Sequence, residues 1–146
     1  MRRQQGFSML EVLVTMVVIS VGLLGIAGLI MTNLKNNQSA YARGQATILA
    51  NDIIDRMRAN RTLADAGAYA IKMTESASTN TNAVVKSDIA QWRAALAAAM
   101  QGGTGSIALN ANGHVVVTIQ WDDSRGSAGG GMVGLSAQQF VEETRL

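Results

Sequence analysis

Residues 12–31 form a run of 20 residues without a single charged side chain. As an α-helix, a run of this length rises about 30 Å, which matches the hydrocarbon core of a bilayer. Arg2 and Arg3 precede the run, so the positive-inside rule places the N-terminus in the cytoplasm and the rest of the chain outside. A cleaved secretory signal has a shorter apolar stretch that ends at a polar mature start. The run is therefore predicted to remain in the chain as a membrane-spanning helix.

Glu11 lies at the front end of this apolar run. A charge at the centre of a membrane helix costs roughly 2.5–3.5 kcal/mol, and less near the interface. On this argument alone, Glu11 is either an interfacial charge on a simple membrane anchor or a group that requires a specific partner.

Gly22, Gly25 and Gly28 recur at every third position within the run. Glycine in a membrane helix gives either local flexibility or a close approach to a second helix. We name the three glycines as candidate helix-packing residues and leave both alternatives open.

The composition excludes several classes of site. The chain has no cysteine and one histidine, His114, so disulfides, thiolate metal sites and His-rich metal sites are impossible. The lysines and arginines are scattered, so no nucleic-acid footprint is expected. We predict no metal or other cofactor, no catalytic residue and no enzymatic activity, because a nucleophile–base–acid set is missing from the sequence.

Beyond residue 31 the chain becomes polar but keeps a helical spacing of apolar residues. We predict one long helix from about residue 7 to about residue 60. Its second half would lay an apolar stripe on a globular head; the stripe consists of Ala46, Leu49, Ala50, Ile53, Ile54 and Met57.

Residues 62–86 are predicted to be a loop, within which residues 76–83, SASTNTNA, are low in apolar content and rich in turn-forming residues. A second helix is predicted from Asp88 to about Met100, with Ser87 as its N-cap. One side of this helix carries the apolar residues Ile89, Trp92, Leu96 and Met100. Residues 102–105, Gly-Gly-Thr-Gly, end it; a phosphate-binding loop is a weak alternative there, because no strand precedes it and no lysine follows it.

The alternation of apolar and polar residues over 106–121 predicts a β-hairpin. A three-residue turn, 111–113, pairs Leu109 with Val115 and Ile107 with Val117, and places Gly113 in the left-handed conformation. A two-residue turn would instead pair Leu109 with Val116, and the apolar residues of the two strands would then lie on opposite faces. Residues 138–145 are predicted to form an edge strand. The order is therefore a long helix, a short helix and three or four antiparallel strands, which is an α+β fold.

Residues 122–131 are predicted to be a flexible loop. Asp122 and Asp123 form a solvated turn there, with a cation site built with loop carbonyls as the weaker alternative.

The N-terminus resembles the type IV prepilin leader, with a short basic segment, glycine, phenylalanine, and glutamate five residues into the mature chain: Gly6-Phe7-Ser8-Met9-Leu10-Glu11. The resemblance implies that prepilin peptidase cleaves after Gly6 on the cytoplasmic side and methylates the new N-terminus at Phe7. It also implies that Glu11 pairs with the freed amine of a neighbouring subunit and sets the register between subunits. Removing the leader takes away two arginines and leaves ten Lys and Arg against ten Asp and Glu.

Three further segments are similar to PilV-type minor pilins, also called type IV pilus modification proteins. They are residues 46–60 (ATILANDIIDRMRAN), residues 88–105 with their Trp helix and Gly turn, and residues 118–122 (TIQWD). Gln101 stands where that family often has a proline, and the absence of cysteine departs from major pilins.

The resemblance implies a type IV pilin fold with a cleaved leader (1–6), a membrane or filament-core helix (7–31) and a periplasmic or extracellular head (32–146). It implies a low-abundance, non-enzymatic subunit that primes pilus assembly with other minor pilins and the major pilin. Its expected partners include prepilin peptidase, a tip adhesin and the inner membrane before assembly. Adhesion and twitching motility are the functions served.

Three alternatives stay open. A minor pseudopilin of a type II secretion system has the same leader, so Phe7 and Glu11 do not separate the two. A DNA-uptake pilin requires an exposed basic strip on the head, and a membrane-anchored enzyme requires a catalytic set; the sequence shows neither.

Overall fold

The structure is a computed structural model that describes residues 7–128 and 132–146, so the leader predicted at 1–6 lies outside the described residues. The elements in chain order are the helices α1 (Met9–Ala59), α2 (Arg61–Asp65) and α3 (Ala83–Ala99), followed by the strands β1 (Thr104–Leu109), β2 (His114–Trp121), β3 (Ser127–Ala128), β4 (Met132–Val133) and β5 (Gln138–Arg145).

The helix α1 contains 51 residues and is roughly 75 Å long at 1.5 Å per residue. Its first thirty residues are exposed, and the first buried side chain belongs to Ser39. The buried residues of its second half are Ser39, Ala46, Ala50, Ile53, Ile54 and Met57, with Leu49 half-buried. The prediction of one long helix whose second half carries the head is confirmed.

The helix α3 begins five residues before the predicted start. Its N-cap is Asn82, whose side chain accepts hydrogen bonds from the backbone N–H groups of Val84 (2.9 Å) and Val85 (3.3 Å). The prediction of Ser87 as the cap is wrong. Ser87 is part of the helix itself, and its hydroxyl accepts a hydrogen bond from Gln91 Nε2 at 2.9 Å. Val85 is completely buried, and its burial holds the extra turn against the core. The predicted apolar side of the helix is confirmed, since Ile89, Trp92, Leu96 and Met100 are all buried.

The loop predicted for residues 62–86 is wrong in part. The short helix α2 extends into it as far as Asp65, and Ile71 forms an antiparallel bridge with Ile107 of β1 through two backbone hydrogen bonds of 3.0 Å. Tyr69 and Ile71 are both buried, so this segment contributes to the core. Burial of these two apolar residues, with the bridge to β1, orders part of the segment that was predicted to be a loop.

The strands β1, β2 and β5 form an antiparallel sheet in the order β1-β2-β5. Leu109 pairs with Val115 and Ile107 with Val117, as the three-residue turn predicts, and Gly113 has a φ of 75°. β5 lies at the edge of the sheet, which confirms its prediction as an edge strand. One face of β2 is fully buried and, with Ile107, supplies the sheet side of the core; these β2 residues are Val115, Val117, Ile119 and Trp121.

The loop predicted for residues 122–131 contains a strand. Ser127–Ala128 pairs with Met132–Val133 as a separate two-stranded sheet; residues 129–131 are outside the described part. The prediction of a solvated turn is wrong for Asp123, which is 5% exposed.

The architecture is therefore a long N-terminal helix packed on a three-stranded antiparallel sheet, with α3 as a further helix against the same core. This is an α+β, type IV pilin-like arrangement, as predicted.

Candidate functional site

The helix α1 begins immediately after Ser8, and Glu11 occupies its first turn. The Ser8 backbone is extended (φ −78°, ψ 148°), and its Oγ accepts a hydrogen bond from the Glu11 N–H at 3.2 Å. Ser8 and Glu11 have the spacing of a capping box, and a carboxylate in the first turn interacts favourably with the helix dipole. Glu11 therefore stabilises the start of its own helix, a role that the Ser-x-x-Glu pattern could have indicated from sequence.

Phe7 and Glu11 lie on the same side of this helix start. Together with Val12, Thr15, Met16 and Ile19, they line a shallow groove of about 300 Å³. The Phe7 side chain is 85% exposed, and Glu11 is exposed and makes no ion pair within the described part of the chain. The carboxylate is therefore open to a cation outside its own subunit. The predicted cleavage after Gly6 falls outside the described residues.

The polar side chains of the apolar half of α1 bond to their own helix. The hydroxyls of Thr15, Ser20 and Thr32 donate to the carbonyls of Glu11 (2.6 Å), Met16 (2.7 Å) and Gly28 (3.0 Å). A hydroxyl that is satisfied within the helix costs little in an apolar environment. The first half of α1 is thus compatible with either lipid or a bundle of helices around it.

The three predicted packing glycines lie on open surface. A Cβ added at Gly22, Gly25 or Gly28 would have no atom within 4 Å, apart from the backbone of the helix itself. The space around them is available to a second helix, and both the packing and the flexibility interpretation stay predictions.

A polar network ties α1 to α3 within the head. The Tyr69 hydroxyl donates to Asp88 Oδ2 at 2.7 Å and accepts from Asn60 Nδ2 at 3.1 Å. Arg56 NH1 lies 3.4 Å from Asp88 Oδ1 and donates to Gln91 Oε1 at 3.0 Å. Burial, followed by the hydrogen bond to Asp88, raises the pKa of Tyr69 to about 12. The network holds a buried tyrosine in its neutral form at the junction of the helices.

The residues that resemble the PilV-type pattern are packing residues in the structure. The Trp92 indole donates to the Leu49 carbonyl at 2.9 Å, and Gly105 lies directly against the Trp92 ring, where a Cβ would overlap it. The Asp122 N–H donates to the Gln101 carbonyl at 2.8 Å. The three segments of the pattern therefore meet in one core.

Asp122 and Asp123 occupy different environments. The Ser124 N–H donates to Asp122 Oδ1 at 2.9 Å, and this hydrogen bond lowers the pKa of Asp122. Asp123 accepts from Ser39 Oγ at 2.9 Å and so fastens its turn to α1. Among residues 7–128 and 132–146, no three His, Asp or Glu side chains are close enough to share a metal ion. The buried contact with α1, which links residues 84 positions apart, has no signal in the sequence.

His114 lies at the surface of the hairpin. Its Nδ1 is 3.2 Å from Glu143 Oε1, and the same oxygen accepts from Asn110 Nδ2 at 2.7 Å. These contacts join the turn of the hairpin to β5.

The helix α1 is long and apolar enough to cross a membrane, and none of its most apolar 18-residue window is buried. A signal sequence near the N-terminus would also meet this criterion, so the composition of the helix is not sufficient by itself.

Residues 1–27 match the family model described as the prokaryotic N-terminal methylation motif. Searches of curated proteins and of solved structures gave no match. The matched segment includes the glycine–phenylalanine junction, Glu11 and the first 16 residues of the apolar run. The chain therefore carries a type IV prepilin-like leader and an apolar N-terminal helix that suggests membrane anchoring before assembly, a combination that fits a type IV pilin or pseudopilin.

Proposed function

We propose that the chain is a minor pilin of the PilV type, a non-enzymatic subunit that helps to prime type IV pilus assembly. The observation that carries the proposal is the prepilin-like leader, with Glu11 in the first turn of a 51-residue helix whose membrane-length half is uncovered. A helix with this much exposed apolar surface needs either lipid or other helices around it.

Support for the PilV type comes from the head. Residues 46–60, 88–105 and 118–122 resemble that family and pack against one another, with Trp92 bound to α1 and Gly105 beneath the indole ring. The head has no cysteine and so cannot form a disulfide that closes a C-terminal loop, which favours a minor pilin over a major pilin.

In this proposal Glu11 provides the register between subunits. Cleavage after Gly6 frees an amine at Phe7, and the carboxylate of an inserted subunit attracts the amine of the next one. In the low dielectric of a helix bundle such a pair is strongly favoured over an unpaired charge, so it sets the axial offset between neighbouring helices.

The partners follow from the same proposal. Prepilin peptidase processes the chain in the inner membrane, other minor pilins join it there, and the major pilin extends the fibre. The subunit then lies near the pilus tip, where it supports a tip adhesin, adhesion and twitching motility.

The processing experiment measures the intact mass and the N-terminal fragments of the protein from its native host. We expect a chain that begins at methylated Phe7. A Gly6→Val variant should retain residues 1–6, whereas the control Gln5→Ala should still be cleaved. A Gly6→Val protein with the same mature N-terminus as the wild type would contradict the proposal.

The assembly experiment compares Glu11→Gln with Asp55→Asn, which changes an exposed carboxylate of α1 that pairs with Arg58 at 2.9 Å. Glu11→Gln should enter the membrane normally but be lost from the pilus fraction, because its register contact is absent. Asp55→Asn should appear in both fractions. Equal recovery of the two variants in pili would remove the role of Glu11.

A pseudopilin of a type II secretion system is the second candidate, since the leader is common to both classes. Purification of the cross-linked protein from native membranes separates them. Recovery with pilus components supports the pilin, and recovery with secretion components supports the pseudopilin.

A further inference from the structure

The turn between β1 and β2 contains the one Asn-Gly pair of the chain, Asn112 and Gly113. The Gly113 N–H donates to the Asn110 carbonyl at 3.0 Å, so residues 110–113 close a β-turn at the tip of the hairpin. Asn112 and Gly113 are both exposed, and a Cβ added at Gly113 would have no atom within 4 Å. The pair therefore lies open to solvent at the end of the hairpin.

An asparagine followed by a glycine is a chemically reactive pair. When the glycine nitrogen loses its proton, it can attack Cγ of the asparagine side chain. Nδ2 takes up a proton and leaves as ammonia, and a succinimide ring forms. Water then opens the ring at either carbonyl, which gives aspartate or isoaspartate. Glycine favours the reaction because it has no Cβ to hinder the approach of the nitrogen to the carbon.

The Asn112 side chain is free to turn toward this nitrogen. Its amide group makes no hydrogen bond to any residue that the structure describes, and only its backbone N–H is engaged, by Asn110 Oδ1 at 3.1 Å. The contact that must open for the attack is the hydrogen bond from the Gly113 N–H to the Asn110 carbonyl. Opening of an exposed turn costs much less free energy than unfolding of the whole head.

The other asparagines are held in place. Four lie inside α1, where the N–H of the following residue donates within the helix: Asn33, Asn36, Asn37 and Asn51. The side chains of the remaining ones are hydrogen-bonded, and these are Asn60, Asn80, Asn82 and Asn110. Each of these asparagines is followed by a residue with a side chain. Sequence and structure together therefore distinguish Asn112 from the rest.

We propose that Asn112 is a modification site at which the folded head converts asparagine spontaneously to aspartate and isoaspartate. The net reaction consumes one water and releases one ammonia, and it needs no enzyme. The inference goes beyond the proposed function, because it depends on the hairpin and not on the leader or on the pilus.

The conversion changes both the charge and the backbone of the hairpin. Beyond residue 6 the side chains balance at ten Lys and Arg against ten Asp and Glu, so either product makes this part of the chain net negative. Isoaspartate also leads the backbone through the former side chain, which adds one methylene group to the turn. The pairing of Leu109 with Val115 depends on the length of this turn. Isoaspartate should therefore weaken the hairpin, whereas aspartate should preserve its register.

Ageing of the purified full-length chain in mild detergent tests the proposal. Samples are held at physiological temperature in neutral and in mildly alkaline buffer, and the asparagine-containing peptides are followed by mass spectrometry. Isoaspartate is measured with protein isoaspartate methyltransferase. We expect Asn112 to convert at least about tenfold faster than any other asparagine, and faster in the alkaline buffer, because the glycine nitrogen must lose its proton. In water enriched in heavy oxygen, both products should carry the heavy isotope.

Two variants separate the chemistry from the fold. Asn112→Gln keeps an amide, but its cyclisation requires a larger ring, so position 112 should stay unconverted. Asn110→Ala removes the side-chain oxygen that accepts from the N–H groups of Asn112 at 3.1 Å and His114 at 2.9 Å. The turn should then open more often, and Asn112 should convert faster than in the wild type.

The outcomes are distinct. An Asn112 that stays unconverted would overturn the inference, and so would a second asparagine that converts at the same rate. Aspartate without isoaspartate would show direct hydrolysis and rule out the succinimide. A conversion rate that Asn110→Ala leaves unchanged would exclude opening of the turn as the step that limits the reaction.

Discussion

Replacing Tyr69 with phenylalanine tests whether the polar network holds the head together. The change removes only the hydroxyl, which donates to Asp88 at 2.7 Å and accepts from Asn60 at 3.1 Å. Asp88 then keeps Arg56, at 3.4 Å, as its remaining side-chain partner among those described here. The Tyr69 ring is completely buried, and the phenylalanine ring fills the same space.

The expected cost follows from the kind of hydrogen bond that is lost. A hydrogen bond to a charged group contributes about 1.5–3 kcal/mol, and a buried carboxylate that loses its donor is not rehydrated freely. The Asp88 side chain is 16% exposed, so water replaces the hydroxyl only in part. We expect Tyr69→Phe to lower the free energy of unfolding by about 2 kcal/mol.

The assay is urea unfolding of the mature chain in mild detergent, followed by tryptophan fluorescence. Trp92 and Trp121 are both buried in the head, so their emission reports on the head rather than on the membrane half of α1. Tyr41→Phe is the matched control, because Tyr41 is 65% exposed; its effect should stay within about 0.5 kcal/mol. If the two variants are equally stable, the network does not support the head and the reasoning fails.

Further predictions concern pH, capping and packing in the head. The pKa of Tyr69 is raised to about 12, so its contribution is present below pH 10 and is lost as the pH rises toward 12; the stability gap between wild type and Tyr69→Phe should shrink over that range in urea titrations. Asn82→Ala should cost about 1 kcal/mol in the same assay, while Ser87→Ala, at the position that local sequence favours as the cap, should cost less. Gly105→Ala should destabilise the head by about 2 kcal/mol or more, because the new methyl group overlaps the tryptophan ring of α3. Gly44→Ala, in open space on α1, should instead stabilise the helix by up to about 1 kcal/mol, as measured by thermal unfolding; a loss of stability there would reveal a hidden contact.

Local patterns predicted the elements in which apolar residues recur at a regular spacing. The apolar residues of α1 recur at helical spacing over its second half, and strict alternation identifies the buried face of β2. The turn at Gly113 follows from parity, because only a three-residue loop keeps Ile107 and Val117 on one face. Each of these features is determined within a few neighbouring residues, so the sequence alone is sufficient.

The errors occurred where a distant contact outweighs the local preference. Serine is a common N-cap residue, which favoured Ser87, but burial of Val85 extends α3 back to its N-cap Asn82. Ile71 lies in a segment that was predicted to be a loop, but its bridge to Ile107 places it in the core. Tyr69 and Ile71 form too short a pattern to indicate a strand, so their burial could not be predicted before the chain is folded.

The sequence by itself determined the leader, the membrane-length helix and the register of the hairpin, because each rests on composition or spacing over a short stretch of chain. The tertiary structure decided that the burial of α1 against the head begins at Ser39, ahead of the stripe that the sequence predicted. It also decided that Asp123, which local sequence places in a solvated turn, is buried against Ser39. Such contacts join segments far apart in the chain, and their free energy depends on the packing of the whole head rather than on any local pattern.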